Sequence, residues 1–252
     1  MQALNNSTHA NLKGRKKMKK LVCFDLDGTL SQHRSPLEEE NRKLLDRLKG
    51  KYKIIMVGAG NCPRIYKQMY GYPIDIIGNY GMQESVAEDG NFRIIRTSYS
   101  KPDRDYFLKT TAALREKYGY TEYKGEPVEF HESGMVTFPL LGTAAAIEDK
   151  LAFDPDRSKR RVMYPEVLSL FPDYSVFIGG TSSFDFSEKK YNKYDAIMTY
   201  AAEHGYAKDE ILYVGDDFDE GGGDSHVRLG GMDYVKITDY KETPRALEFL
   251  LS

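Results

Sequence analysis

Leu21-Val22-Cys23-Phe24-Asp25-Leu26-Asp27-Gly28-Thr29-Leu30 is the stretch on which the reading of the whole chain turns. Its first four residues form a short continuous apolar run bounded by charge, the pattern of a strand covered on both faces in a parallel sheet. Asp25 then stands where the strand ends. Asp27, two residues on, can face the same crevice beyond the sheet's carboxyl edge, where doubly wound sheets take their ligands. Two carboxylates held there repel each other unless a cation neutralises them, and oxygen-ligated Mg²⁺ meets that need. Asp27-Gly28 is also a common turn dipeptide, so the segment by itself fits an ordinary strand-end turn as well.

Outward from this strand, the pattern predicts a helix from about Pro36 to Lys49 and a second buried strand over Lys53-Ile54-Ile55-Met56-Val57. A helix through Ile65 to Tyr70 and a strand over Ile74-Asp75-Ile76-Ile77-Gly78 follow, and the alternation predicts a parallel sheet with right-handed crossovers. After about residue 85 the pattern becomes α+β, with short strands at Phe92-Arg93-Ile94-Ile95, Pro127-Val128-Glu129-Phe130 and Met135-Val136-Thr137-Phe138 around a helix from about Arg104 to Lys117. Alternation returns with a helix from about Lys193 to His204 and strands at Ile211-Leu212-Tyr213-Val214 and Tyr234-Val235-Lys236-Ile237. The predicted architecture is α/β: a doubly wound parallel-sheet core over residues 21–85 and 188–252, with an α+β insert over 86–187. Residues 1–20 are polar, end in the basic stretch Lys13 to Lys20 and lack a hydrophobic period, so they are expected to be a disordered lead.

Composition narrows the classes. The 252 residues suffice for a full core and a smaller companion, and 40% hydrophobic with 29% charged residues suits a packed globular protein. A formal net charge of −2 supplies no basic field, which argues against nucleic acid as a partner. Two cysteines are too few for a disulfide framework, and Cys23 lies inside the apolar strand, which fits a reducing cytoplasm. No apolar run approaches the roughly 18 residues that span a bilayer, so no membrane association is expected. The basic N-terminal run lacks the amphipathic spacing of a presequence. His33, His131, His204 and His226 show no spacing typical of a zinc site.

A second acidic group strengthens the cation reading. The strand over Ile211 to Val214 ends in Gly215-Asp216-Asp217, followed by Asp219, Glu220, Gly221-Gly222-Gly223 and Asp224. Ends of neighbouring parallel strands lie side by side, so acids far apart in sequence can converge on one ion. The glycine triplet also reads as a flexible surface loop.

Asp25-Leu26-Asp27-Gly28-Thr29-Leu30 matches the first motif of the haloacid dehalogenase (HAD) superfamily, whose phosphotransferring members form an aspartyl-phosphate on the first Asp. Gly179-Gly180-Thr181-Ser182-Ser183-Phe184-Asp185-Phe186, Asn192-Lys193, Gly215-Asp216 and Gly221-Gly222-Gly223-Asp224 resemble the eukaryotic-type phosphomannomutases in order and spacing. The likeness runs from about residue 20 to the C-terminus. It implies that residues 86–187 form a cap similar to type IIB, and that the cap can mediate a homodimer.

The resemblance also implies roles. Asp25 would be the nucleophile and Asp27 the general acid and base, while Lys193 would neutralise phosphate charge and hold the nucleophile. By composition alone Lys193 is one more solvated residue at a helix start. Mg²⁺ would be held by Asp25, Asp216 and, through its backbone carbonyl, Asp27, with Asp224 orienting the ion's other ligands. Arg34 matches a basic residue in the loop after the first motif, and Ser183 and Asp185 match residues that contact substrate from the cap. Gly60 stands where the superfamily has a phosphate-binding Ser or Thr, leaving backbone N–H groups and the Asn61 amide as the expected donors.

Where mutases carry cap arginines that grip a distal phosphate, this sequence has Lys124, His131 and Thr143. Lysine is a point charge that cannot replace a planar fork, and an unperturbed histidine is mostly neutral at pH 7. The expected function is therefore a Mg²⁺-dependent phosphatase acting on a small phosphorylated substrate, a sugar or polyol monophosphate, through an aspartyl-phosphate. A phosphomannomutase is the alternative, and a non-catalytic sugar-phosphate binder is a third. Tyr118, Tyr120 and Tyr123 could stack on a sugar but are expected to complete the core.

Overall fold

The strand from Leu21 to Phe24 forms, and all four of its residues are buried. The computed structural model describes residues 10–11, 18–33, 35–88 and 91–252; Arg34 and most of the expected disordered lead lie outside these. In chain order the elements are β1 (Ala10–Asn11), β2 (Leu21–Phe24), α1 (Glu39–Lys49), β3 (Lys53–Val57), α2 (Cys62–Gln68), β4 (Asp75–Gly78), β5 (Gln83–Glu88), β6 (Asn91–Thr97) and α3 (Arg104–Tyr118). There follow β7 (Glu129–Phe130), β8 (Val136–Pro139), α4 (Ile147–Phe153), α5 (Ser158–Leu170), β9 (Tyr174–Phe177) and β10 (Ser183–Glu188). The chain closes with α6 (Lys193–His204), β11 (Ile211–Gly215), α7 (Ser225–Leu229), β12 (Tyr234–Lys236) and α8 (Thr243–Ala246), among short 3-10 turns.

The chain divides into two compact units, one of Met1–Thr97, Lys193–Phe218 and Asp224–Ser252, the other of Ser98–Asn192 and Asp219–Gly223. In the first, an eight-stranded sheet runs β1-β12-β11-β2-β3-β4-β5-β6. The five strands from β12 to β4 are parallel. Alternation sorts their side chains: Val22, Phe24, Ile54, Met56 and Val214 face a core with Leu44, Leu45 and Leu48 of α1 and Ile65 of α2. Leu21, Cys23, Ile55, Val57 and Tyr213 face Ile197, Tyr200 and Ala201 of α6 on the other side. Both faces are thus covered by helices. Each leucine buried on α1 stabilises by about 1.5–3 kcal/mol relative to exposure.

Three expectations are corrected. The strand around Phe92 to Ile95 was expected in the insert, but β6 pairs antiparallel with β5, which pairs antiparallel with β4, so both extend the large sheet. The hairpin satisfies the backbone edge that β4 would otherwise expose, and the second unit begins at Ser98, not at 86. The lead is not wholly without structure: β1 pairs with β12, and Lys19 Nζ lies 2.6 Å from Asp233 Oδ2. The glycine triplet is not a free loop, because Ile178 N donates to Gly221 O at 2.8 Å and Gly221 and Gly222 are buried.

The second unit is a four-stranded antiparallel sheet, β7-β8-β10-β9. One face carries Phe130, Val136, Phe138, Phe184 and Phe186 into a core with Phe107 and Leu114 of α3 and Met163 and Val167 of α5. Phe107 stacks on Phe171 at 4.6 Å between ring centroids and meets Phe186 edge-on at 5.2 Å. Tyr118 and Tyr120 pack against this core as expected; Tyr123 is 43% exposed and lies over the Arg115 guanidinium, so it does not complete the core.

Arg160 of α5 is fully buried and pairs with Asp154 at 2.8 Å. Its Nη1 also donates to Gly179 O at 2.7 Å and Ser183 O at 3.1 Å, tying the helix to the turn between β9 and β10. Removing one partner of such a pair leaves a buried charge uncompensated. We therefore expect Asp154→Ala to lower unfolding free energy by about 3–5 kcal/mol, and a D154L/R160M double variant to lose much less. Denaturant titration of the variants checks this; a loss below about 1 kcal/mol for Asp154→Ala, the range of an exposed pair, would contradict it.

Candidate active site

The parallel register places Phe24 opposite Val214, and Asp25 N continues the ladder by donating to Val214 O at 2.9 Å. Asp25 and Asp216 therefore leave the tips of adjacent strands, β2 and β11, side by side. Asp25 is on the side of Leu21 and Cys23, four and two residues back, which is the face covered by α6. That face brings it to Lys193, the first residue of α6, whose Nζ lies 2.8 Å from Asp25 Oδ1.

Lys193 is only 3% exposed, not a solvated helix-start residue. Its ammonium also lies 2.7 Å from Asp224 Oδ1 and donates to the Tyr213 hydroxyl at 3.1 Å. Asp224 is fully buried and accepts from Lys193 and Tyr213 OH at Oδ1, the latter at 2.6 Å, and from the backbone N–H groups of Asp216 and Asp217 at Oδ2, at 3.1 and 3.0 Å. Asp224 thus fixes both the lysine and the chain that carries Asp216. Gly215 has no side chain for a spatial reason: a Cβ there would stand 2.3 Å from Asp224 Oδ2. Gly28 combines a φ of +88° with a close approach, its would-be Cβ lying 2.5 Å from Asp216 Oδ2. Thr29 Oγ1 donates to Asp216 Oδ1 at 3.2 Å.

The charges fall out of balance. Oxygens of Asp25, Asp216 and Asp224 lie within 4.8 Å of one another, against one ammonium. Burial, with Asp224 and Asp27 nearby, pushes Asp25 up to about 7 despite Lys193, and burial with Asp25, Asp224 and Asp217 pushes Asp216 up to about 8. Burial lowers the affinity of Lys193 for its proton, yet Asp224 and Asp25 outweigh it and hold the ammonium well above its ordinary range. A hard divalent cation fits this donor set: it takes carboxylate oxygens and relieves the repulsion. Asp25 and Asp216 could hold it directly, while the four donors on Asp224 leave that side chain a supporting role.

Asp27 stands outside the three-carboxylate cluster. Its Oδ1 accepts from Gln68 Nε2 at 2.7 Å and its Oδ2 from Arg64 Nη2 at 3.2 Å. Arg64 and Gln68 are one turn apart on α2, so one helix face supplies both donors. Asn61 caps α2, its side-chain oxygen accepting from Arg64 N at 2.8 Å. Its amide nitrogen is the part left for a ligand.

In the second unit, Glu129, Thr137 and Asp185 form one cross-strand row on the sheet face away from the aromatic core. Thr137 donates to Asp185 Oδ1 at 2.9 Å, so His131 Nε2, 3.0 Å from Thr137 Oγ1, carries the proton and donates in turn. His131 and Asp185 are thereby brought together. Ser183 turns its hydroxyl to Gly179 O at 3.1 Å. Lys124 is exposed, 3.7 Å from Asp149, and Thr143 Oγ1 accepts from Glu126 N at 2.9 Å.

Tyr213, Arg64, Gln68 and Thr137 were not singled out from sequence. Alternation alone assigns Tyr213 to the α6 face, and the four-residue spacing of Arg64 and Gln68 puts them on one helix face. Neither signal states what those faces meet.

No family model matches the sequence. The chain is 23% identical over 251 residues to a phosphomannomutase of Encephalitozoon cuniculi, covering 91% of this chain and 94% of that protein. It is 26% identical over 230 residues to the phosphomannomutase of Saccharomyces cerevisiae, covering 84% and 86%. Among solved structures it resembles a HAD subclass IIB sugar phosphatase, with a TM-score of 0.59, 19% identity and 92% and 98% of the two chains covered. A haloacid dehalogenase-like hydrolase from B. subtilis gives a TM-score of 0.56 at 15% identity, covering 81% and 84%. The IMP-nucleotidase of Plasmodium falciparum gives 0.62 at 13% identity, covering 93% and 68%. The chain has the fold of the haloacid dehalogenase superfamily, and its sequence is similar to phosphomannomutases over most of its length.

Proposed function

We propose that this protein is a Mg²⁺-dependent phosphohydrolase that forms an aspartyl-phosphate on Asp25 and acts on a sugar or polyol monophosphate. The observation that carries the reading is the buried ammonium of Lys193 between Asp25 and Asp224, with Asp216 on the neighbouring strand tip. A bound Mg²⁺, held by Asp25, Asp216 and the Asp27 carbonyl, would screen the negative charge of carboxylates and phosphate. With Oδ1 of Asp25 committed to Lys193, the attacking oxygen is Oδ2. It forms a bond to phosphorus as the ester P–O bond breaks, and Asp27 delivers a proton to the departing alkoxide. Asp27 then takes a proton from water as that water attacks the aspartyl-phosphate, releasing inorganic phosphate and restoring the Asp25 carboxylate. Lys193 neutralises charge on the transferring group from a fixed position.

Hydrolysis is favoured over sugar-phosphate isomerisation because the positions compared with the mutase grip offer no guanidinium. Lys124 lies against Asp149, His131 is occupied with Thr137, and Thr143 serves the backbone. The similarity to phosphomannomutases supports the second reading, interconversion of mannose 1-phosphate and mannose 6-phosphate.

Purified protein is expected to hydrolyse p-nitrophenyl phosphate with Mg²⁺, and Asp25→Asn to lower turnover by at least about 10³-fold, as for loss of a nucleophile, with an unchanged circular dichroism spectrum. Full activity of Asp25→Asn, or in EDTA, would refute the reading. A coupled assay primed with a sugar bisphosphate separates the alternatives: free phosphate alone supports the hydrolase, isomerised sugar phosphate the mutase.

The crowded carboxylates also set a pH dependence. In the folded, metal-free chain Asp25 and Asp216 keep protons up to about 7 and about 8, whereas unfolded carboxyls release theirs near pH ~4. The folded state binds more protons across that window, so stability falls as pH rises through it. Thermal unfolding is expected to show this decline without metal, a shallower one in Asp216→Asn, and a flattened one in saturating Mg²⁺. A stability that is level or rises over the same range in metal-free protein would contradict the charge crowding.

A further inference from the structure

Gly60 carries no side chain, and the space one would take is filled. A Cβ at that position would stand 2.4 Å from Arg64 Nε, 2.8 Å from Nη2 and 2.9 Å from Cζ. Gly60 is not among the residues with positive φ, so no backbone requirement explains the glycine. What the missing side chain admits is the Arg64 guanidinium, whose Nη2 reaches Asp27 Oδ2 at 3.2 Å. The other oxygen of Asp27 is held by Gln68 at 2.7 Å, and the same Gln68 nitrogen donates to Ser35 O at 2.9 Å.

We infer that Arg64 is a positioning residue for Asp27, and that Gly60 is the residue that admits it. Resting on the functional reading above, this gives the pair a part in the reaction: Arg64 and Gln68 hold the Asp27 carboxyl at a fixed rotamer from which it serves the leaving oxygen. A bare methyl at position 60 is enough to displace the guanidinium, because the contacts it would make are far inside van der Waals distance and the backbone on one side is fixed by the bond from Asn79 N to Gly60 O at 2.8 Å. Arg64 is 44% exposed on its side chain, so it can swing into solvent when pushed. Gly60 and Arg64 therefore form one functional unit: substituting either should do the same thing, and substituting both should do no more than substituting one.

Proton delivery by Asp27 matters most for a leaving group that is unstable as an anion, and little for p-nitrophenolate. Arg64→Ala and Gly60→Ala are each expected to lower kcat on an alkyl phosphate such as glycerol phosphate by roughly ten- to hundredfold, a part of the range for general acid catalysis. Arg64→Ala should slow the pre-steady-state burst of p-nitrophenolate, a step that needs no proton from Asp27, by no more than about threefold, while steady-state turnover falls with the water-activating step that Asp27 serves as base. Arg64→Lys should recover part of the loss, and Gly60→Ala added to Arg64→Ala should change nothing further. A burst on p-nitrophenyl phosphate slowed as much as turnover of glycerol phosphate, or additive effects of the two substitutions, would overturn the inference while leaving the phosphohydrolase in place. Absence of turnover on either substrate by the unmodified protein would remove the functional reading instead. A crystal structure of the Gly60→Ala protein decides the gating separately from any activity: Arg64 displaced from Asp27 is expected, and Arg64 still within hydrogen-bond distance of Asp27 would overturn it.

Discussion

A single buried ammonium organises the candidate site. Lys193 is 3% exposed and touches carboxylates from two other parts of the chain, at 2.8 Å to Asp25 and 2.7 Å to Asp224. Burying an ion costs several kcal/mol unless its partners are close and themselves satisfied. Asp224 meets that condition with two backbone donors and a tyrosine hydroxyl besides the lysine. The start of α6, the tip of β2 and the loop leading to α7 are thereby fixed to one point, and with them the direction in which Asp25 presents its remaining oxygen. The same interaction leaves the cluster short of positive charge, which is the physical reason a divalent cation suits it.

The core of this arrangement was legible in the sequence because it depends on local pattern. Four apolar residues before Asp25 and four before Gly215 are enough to place two buried strands, and acid at the ends of both is enough to suggest convergence. Helix α6 was expected from about Lys193 to His204 and spans Lys193–His204. What escaped was pairing between distant segments. β5 and β6 carry too many polar residues to look like members of a buried sheet, and only their hairpin with β4 reveals that they belong to it. The glycine triplet looked flexible because glycine usually is, yet a hydrogen bond from Ile178 fixes it to the second unit.

Within the site, residue type and strand-end position sufficed for Asp25 and Asp216, whereas Asp224 and Lys193 acquired their meaning only through resemblance to a known motif. Lysine at a helix start is ordinarily solvated, and nothing in the residues around it states that the opposite is true here. Gly60 presents the reverse case. As a substitution for a hydroxyl it reads as a loss; in three dimensions the vacated space is occupied by a guanidinium four residues along α2. Such exchanges between a side chain and its neighbour's position are invisible to any one-position comparison, because the gain lies at a different residue from the loss.

The proposed reaction turns on covalent phosphorylation of Asp25. Rapid mixing with a sugar monophosphate and Mg²⁺, acid quenching, borohydride reduction and peptide mass spectrometry measure this directly. Covalent phosphorylation of Asp25 requires a transient modification there that forms no more slowly than phosphate is released. Phosphate release in a single turnover with Asp25 unmodified throughout, or with the modification on another residue, would contradict it.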